Sequence, residues 1–195
     1  MSAVKLIPAS GGGSVSLAPP NSTSGADVTI TMPTASQGLG KILQVVSTFK
    51  NDTFSTTSSS YVDITGLSVA ITPSATSSKI LILSNAGWGN SSNDMSVVPF
   101  QLVKVVGGTA SNIAEPSDTT QSFGSTLTMS NPNTNPQWSL QRMAFQFLDS
   151  PATTAAVTYK WQIKSNGTAT TQINRRTQNT TMPTTSSITV MEVAA

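Results

Sequence analysis

From residue 41 onward apolar and polar residues alternate with a period of two, in several runs without interruption. Between Gln137 and Asp149, Met143, Phe145 and Phe147 fall on one parity and Arg142, Ala144 and Gln146 on the other. Between Ala155 and Ser165, Val157, Tyr159, Trp161 and Ile163 oppose Lys160, Gln162 and Lys164. Successive side chains of an extended strand point to opposite faces, so both runs predict half-buried antiparallel strands. In Tyr61–Ile71 the parity changes, from Val62 and Ile64 to Leu67, Val69 and Ile71. A bulge at Gly66 would keep both groups on one core. Lys79–Leu83 is apolar at every position after the lysine, the pattern of a strand covered on both faces. Lys41–Phe49, Val97–Val106, Ser122–Met129 and Ser187–Val193 complete the predicted strands.

Polar loops separate these runs at Ser55–Ser60, Pro73–Ser78, Gly87–Asp94, Gly107-Gly108 and through Pro132 and Pro136. Asn166-Gly167 carries the residue pair of a tight primed turn, which predicts a hairpin between Ala155–Ser165 and Thr168–Asn174. No segment has helical periodicity. Eight to ten short strands with Gly, Pro, Asn and Ser at the turns predict an all-β fold, an antiparallel jelly-roll-like sandwich, with a closed barrel as the alternative.

The first forty residues read differently. Gly11, Gly12 and Gly13 raise backbone freedom, and Pro8, Pro19, Pro20 and Pro33 cannot donate to a ladder. Short apolar alternations survive around Val15 and Leu17 and around Val28, Ile30 and Met32. Such a stretch gains stability by lying on something else. The expected organisation is an extended N-terminal arm over residues 1–40 and a β-domain over 41–195. Leu17, Pro19, Pro20, Val28, Ile30 and Met32 are the candidate attachment positions.

Composition narrows the chemistry. Hydrophobic residues are 37% and charged residues 9% of the 195, so hydroxyls and amides must coat the surface. The net charge of +2 is too small and dispersed for a nucleic-acid footprint, and Arg175-Arg176 is the lone basic doublet. No apolar run approaches the roughly 18–20 residues of a membrane-spanning helix, and no signal peptide opens the chain, so cytoplasmic synthesis and no membrane insertion are expected. The sequence holds no His and no Cys, which removes disulfides, the common nucleophile–base pairs, and imidazole or thiolate metal sites. Of the acids, Glu115 and Asp118 form the closest candidate pair for a glycosidase, yet nothing in the pattern buries or polarises them. Asn90–Asp94 lacks the distal Glu of a calcium loop. No catalytic, cofactor-binding or metal-ligating residue is therefore assigned, and no enzyme is expected. Trp161 sits on a core parity, whereas Trp88, between two glycines ahead of a polar run, is the candidate exposed aromatic for a glycan contact.

The segment Ser16–Gly38, with Ala18-Pro19, Ser24-Gly25, a Thr-rich strand and Met32-Pro33, resembles the stretch preceding the distal domain of many bacteriophage tail fibres. Ser186–Val193 is similar to their terminal strand, and Asp52–Thr57 with Tyr61–Ile82 is similar to a recurrent hairpin of phage fibre heads. The resemblance implies a virion structural protein of the tail-fibre or fibre-knob type with a trimeric jelly-roll head of the tumour-necrosis-factor or complement-globular kind. Implied partners are two further copies, other virion proteins through the arm, and a host surface glycan. Because a fibre normally needs a longer shaft, a capsid decoration role competes. A carbohydrate-binding module is a further alternative. No functional residue carries over.

Overall fold

The computed structural model describes residues 4–6, 15–17, 41–91, 97–117, 125–130, 136–166, 169–178 and 182–195. The chain divides into two units, Met1–Gln37 and Gly38–Ala195. In the first, β1 (Val4–Leu6) pairs antiparallel with β2 (Val15–Leu17). Leu17 thus ends a strand of a two-stranded ribbon, whereas Pro19, Pro20, Val28, Ile30 and Met32 lie outside the described residues.

The second unit contains β3 (Ile42–Lys50), β4 (Phe54–Thr56), β5 (Val62–Ile71), β6 (Lys79–Asn90), β7 (Val97–Val106), β8 (Thr109–Ile113), β9 (Leu127–Ser130), β10 (Gln141–Asp149), β11 (Val157–Ile163), β12 (Thr171–Ile173) and β13 (Ser186–Val193). Its helical content among the described residues is one 3-10 turn, Pro136–Trp138. In the first sheet β6 is central, with β10 along one edge and β13 then β12 along the other; β3 flanks β13 and β4 flanks β12. The second runs β5-β11-β7, with β8 and β9 sharing the far edge of β7. Setting aside the short β4, β9 and β12, first pairs with last (β3, β13), second with seventh (β5, β11), third with sixth (β6, β10) and fourth with fifth (β7, β8). That is the nesting of one long hairpin rolled into two sheets, a jelly roll.

Every antiparallel run keeps the parity read from its sequence. Ile64, Leu67, Val69 and Ile71 of β5 are all buried, and Gly66 sits between the two groups at φ 79°, opposite a register shift between Lys160 and Gln162. An aromatic file runs through the core, Trp88 to Phe100 to Trp161 to Phe145, edge to face at 6.5, 6.3 and 5.3 Å. The Trp161 indole N–H donates to Ser84 Oγ at 2.9 Å, and Ser84 donates to the Ser187 carbonyl, so one polar chain ties the sheets together.

Three expectations fail for identifiable reasons. Thr171–Ile173 does not form a hairpin with β11, because β5 and β7 already occupy both edges of β11; the segment joins the first sheet instead. Phe54–Thr56 is a strand rather than loop because β12 offers it an edge. Gly87–Asn90 continues β6, and its glycines serve close approach. A Cβ on Gly87 would stand 2.0 Å from Thr184 Cγ2, and one on Gly89 2.8 Å from the Arg175 carbonyl.

Beyond Gly87, β6 exchanges β13 for β12, and the border strand breaks between β3 and β4. Asn174 fills this fault, fully buried at φ 64°. Its Nδ2 donates to the Lys50 and Asp52 carbonyls at 3.0 and 2.9 Å, and its Oδ1 accepts from Ser186 Oγ at 2.6 Å. Its backbone N–H donates to Gly87 O, and its carbonyl accepts from Thr184 N. Asn174→Ala should lower unfolding free energy by about 2–4 kcal/mol, from unpaired buried groups and a left-handed backbone that Asn tolerates better than Ala. Asn174→Gly, which relieves only the backbone, should recover part of that loss in urea titrations.

Glu192, buried on β13, accepts Ser74 N, Ser74 Oγ and Gln44 Nε2, each at 2.6 Å. Burial pushes its carboxyl up, but these bonds and one from Ser78 outweigh burial and bring it from 4.5 down to about 2. A depressed carboxyl stabilises the fold fully above its unfolded value. Stability should therefore fall as pH drops from 4.5 toward 2, and Glu192→Gln should flatten that slope in acid-denaturation curves.

Candidate assembly face

The two outward faces of the sandwich differ in chemistry. On the second sheet Asp63 receives Lys160 Nζ at 2.8 Å and Gln162 Nε2 at 2.7 Å across the β5–β11 ladder. Burial raises the Asp63 carboxyl, while the Lys160 and Gln162 bonds and the Lys160 charge lower it further, so it stays below the usual carboxylate range. Such paired charges suit a surface facing water.

The first sheet carries no charge on its central outward rows. Cross-strand register aligns Val45, Met191, Leu81 and Leu148 in one row, Ser47, Thr189, Leu83 and Gln146 in the next, and Phe49, Ser187, Asn85 and Ala144 in the third. Phe49 is 64%, Val45 55% and Leu148 47% exposed, while Leu81 and Leu83 are half-buried. The unbroken apolar run of β6 is therefore buried on its core side only, where Ile80 and Ile82 are fully enclosed. Polar members of the face bond sideways: Ser47 Oγ and Thr189 Oγ1 are 2.8 Å apart, and Asn85 Nδ2 donates to Ser187 Oγ at 2.7 Å. At one end Arg142 donates to Asn85 Oδ1, Thr185 O and Thr184 Oγ1. Between β10, β6 and β13 lies a depression of about 450 Å³ lined by Leu83, Asn85, Ala144, Gln146, Ser187 and Thr189. With Ser47, Thr189, Asn85 and Ser187 bonded laterally and apolar tops presented between them, this face suits contact with another protein surface.

Trp88 requires a correction. It is fully buried, packed edge-on against Phe100, with no acceptor for its indole N–H among the described residues. It offers no ring face to a sugar, because its parity on β6 matches that of Ile80, Ile82 and Ala86. The exposed tryptophan among the described residues is Trp138, 48% accessible, with the Arg176 guanidinium 5.0 Å from its ring centre. Arg175 is bonded to Gln172, so the basic doublet serves local packing. Glu115 is exposed and accepts from Gln101 Nε2 at 3.2 Å; Asp118 and Asp94 lie outside the described residues, and Asn90 is buried on β6. Among the described residues no three acids cluster as metal ligands.

No protein-family model and no curated protein matches the chain. Among solved structures, a chain of the infectious bursal disease virus Gt strain aligns with TM-score 0.38 and 14% identity over 97% of this chain and 45% of that one. One from the Gx strain aligns with TM-score 0.34 and 12% identity over 78% and 38%. The VP2 protein of the same virus in derived T=1 particles aligns with TM-score 0.37 and 13% identity over 96% and 44%. The chain spans less than half the length of each.

Trp88→Ala should cost about 3–5 kcal/mol of stability, as for other buried tryptophans, whereas Trp138→Ala should stay within about 1 kcal/mol. Thermal and urea unfolding of the two variants would check the contrast.

Proposed function

We propose that the chain is a structural component of a bacteriophage virion, of the tail-fibre or fibre-knob type, non-catalytic and assembled as a homotrimer. The observation that carries the reading is the outward face of the first sheet, where three uncharged rows with exposed Val45, Phe49 and Leu148 contrast with the Lys160–Asp63 pair on the outward face of the second. A jelly roll of this size gains by burying such a face against a neighbour. The number three comes from the likeness of Asp52–Thr57 and Tyr61–Ile82 to the heads of phage fibres. Residues 1–40 serve as the attachment segment to other virion proteins, and a host glycan, if bound, meets the exposed part of the head rather than Trp88.

Native mass spectrometry should give a mass that is a multiple of three chains, and Leu83→Asp should remove that factor of three by placing a carboxylate in the contact. A stable wild-type monomer would overturn the trimer. Density or antibody labelling on intact particles should place the protein on the tail; labelling over the head would favour a decoration role.

A further inference from the structure

Sheet borders expose unpaired N–H and C=O groups, and native folds guard them with short strands, charges, bulges or Pro. Most borders of this domain are guarded. Among the described residues, β4 has three residues, β9 four and β8 five, the last with Thr109, Ser111 and Asn112 exposed. The β5 border is bent at Gly66 and carries Asp63, and β10 carries exposed Arg142 and Gln146. β3 differs from all of these. It has nine residues, no Pro and no charge between Lys41 and Lys50, and its register with β13 is regular from Gln44 to Lys50. The lysine that ends it is no guard, because Lys50 is buried and bonded to Asp52 at 2.6 Å. Ile42, Leu43, Val45 and Phe49 make β3 the strand richest in exposed large apolar side chains.

We infer that the border of β3 left unpaired among the described residues is a pairing edge for β3 of a second copy, running antiparallel about a two-fold axis near Val46. Charge placement favours this occupant. Lys41 is exposed just before the strand, and Asp52, whose side chain is 71% exposed, lies just after it. Antiparallel self-pairing sets Lys41 of each chain beside Asn51 and Asp52 of the other, at both ends of the contact. A parallel arrangement would instead bring like charges together. The pairing joins two first sheets edge to edge and carries the Val45 and Phe49 rows across the junction. It uses the backbone border of β3, whereas the three-fold contact is assigned to the side chains of the outward face.

The full chain should therefore show an even number of subunits by native mass spectrometry, six if the three-fold face also forms. Leu83→Asp, or Gln146→Arg at the exposed end of the same row, should leave dimers. Backbone amides on the open border between Gln44 and Phe49 should exchange slowly in the dimer and faster on dilution. Lys41→Glu should weaken the dimer by roughly three- to thirty-fold, from two like-charge contacts at the scale of exposed ion pairs. An odd subunit number, or border amides that exchange fast at every concentration, would overturn the inference. Protection that persists in a monomer would overturn it too, because another part of the chain would then cover β3. Dimers without any factor of three would instead remove the trimer and leave the edge contact standing.

Discussion

The first sheet holds together across a fault, and the side chain of Asn174 is what closes it. Where β6 exchanges β13 for β12, three lines of backbone lose a ladder partner at the same level: the end of β3, the connector behind β12, and β6 along the edge away from β10. Asn174 supplies two donors and an acceptor from one amide, adds its own N–H and C=O, and spans all three. Few other residues combine that donor–acceptor set with tolerance of a left-handed backbone. Gly87 and Gly89 belong to the same device, because only without a Cβ can the connector lie this close to β6. The rest of the sheet depends on this joint, since it lets one border carry β3 and β4 in line.

The two outward faces show how a low-charge sequence still separates water from protein. Its few charges are spent in pairs on the second sheet and near the sandwich edges, as with Lys160 and Asp63 or Lys104 and Asp149. Tyr159 illustrates the edge pattern. Its hydroxyl donates to Asp149 Oδ2 at 2.7 Å, and burial together with that carboxylate raises its pKa far above the usual phenol value. What remains for the outward rows of the first sheet is apolar side chains with Ser47 bonded to Thr189, Asn85 bonded to Ser187, and an exposed Gln146 at the β10 end. Covering such a face costs little hydration at Ser47, Thr189, Asn85 and Ser187, whose side chains already bond to one another in pairs.

Much of the architecture is legible in the amino-acid sequence, and the legible part follows a physical rule. Period-two alternation marks core parity, so the inward residues of β5, β10 and β11 could be read directly, as could the bulge at Gly66. Strand partnership could not, because alternation specifies a face and says nothing of a neighbour. Hence Asn166-Gly167 suggested a hairpin although β11 had no free edge. The apolar run Lys79–Leu83 predicts a strand covered on both faces, whereas the described residues cover its core side only, since alternation is lost from a run whose outward side chains are apolar as well. Flanking glycines serve loop flexibility and close strand approach alike, so the pattern around Trp88 cannot tell an exposed loop from the buried strand it forms. The arm positions from Pro19 to Met32 lie outside the described residues, and their role rests on pattern and resemblance.

The nesting of first strand with last has a consequence in time. β13 lies between β3 and β6, bonded to both along nearly its whole length, and it is the last of these strands to leave the ribosome. Until then β3 has no ladder partner in the first sheet, and β6 lacks one along much of one edge. The sheet can close only by inserting a strand separated from β3 by most of the domain, a high-contact-order step that places this chain among slow-folding β proteins. For that interval the nascent domain offers two raw edges and an apolar face at once, so its yield depends on how long the slot for β13 stays empty.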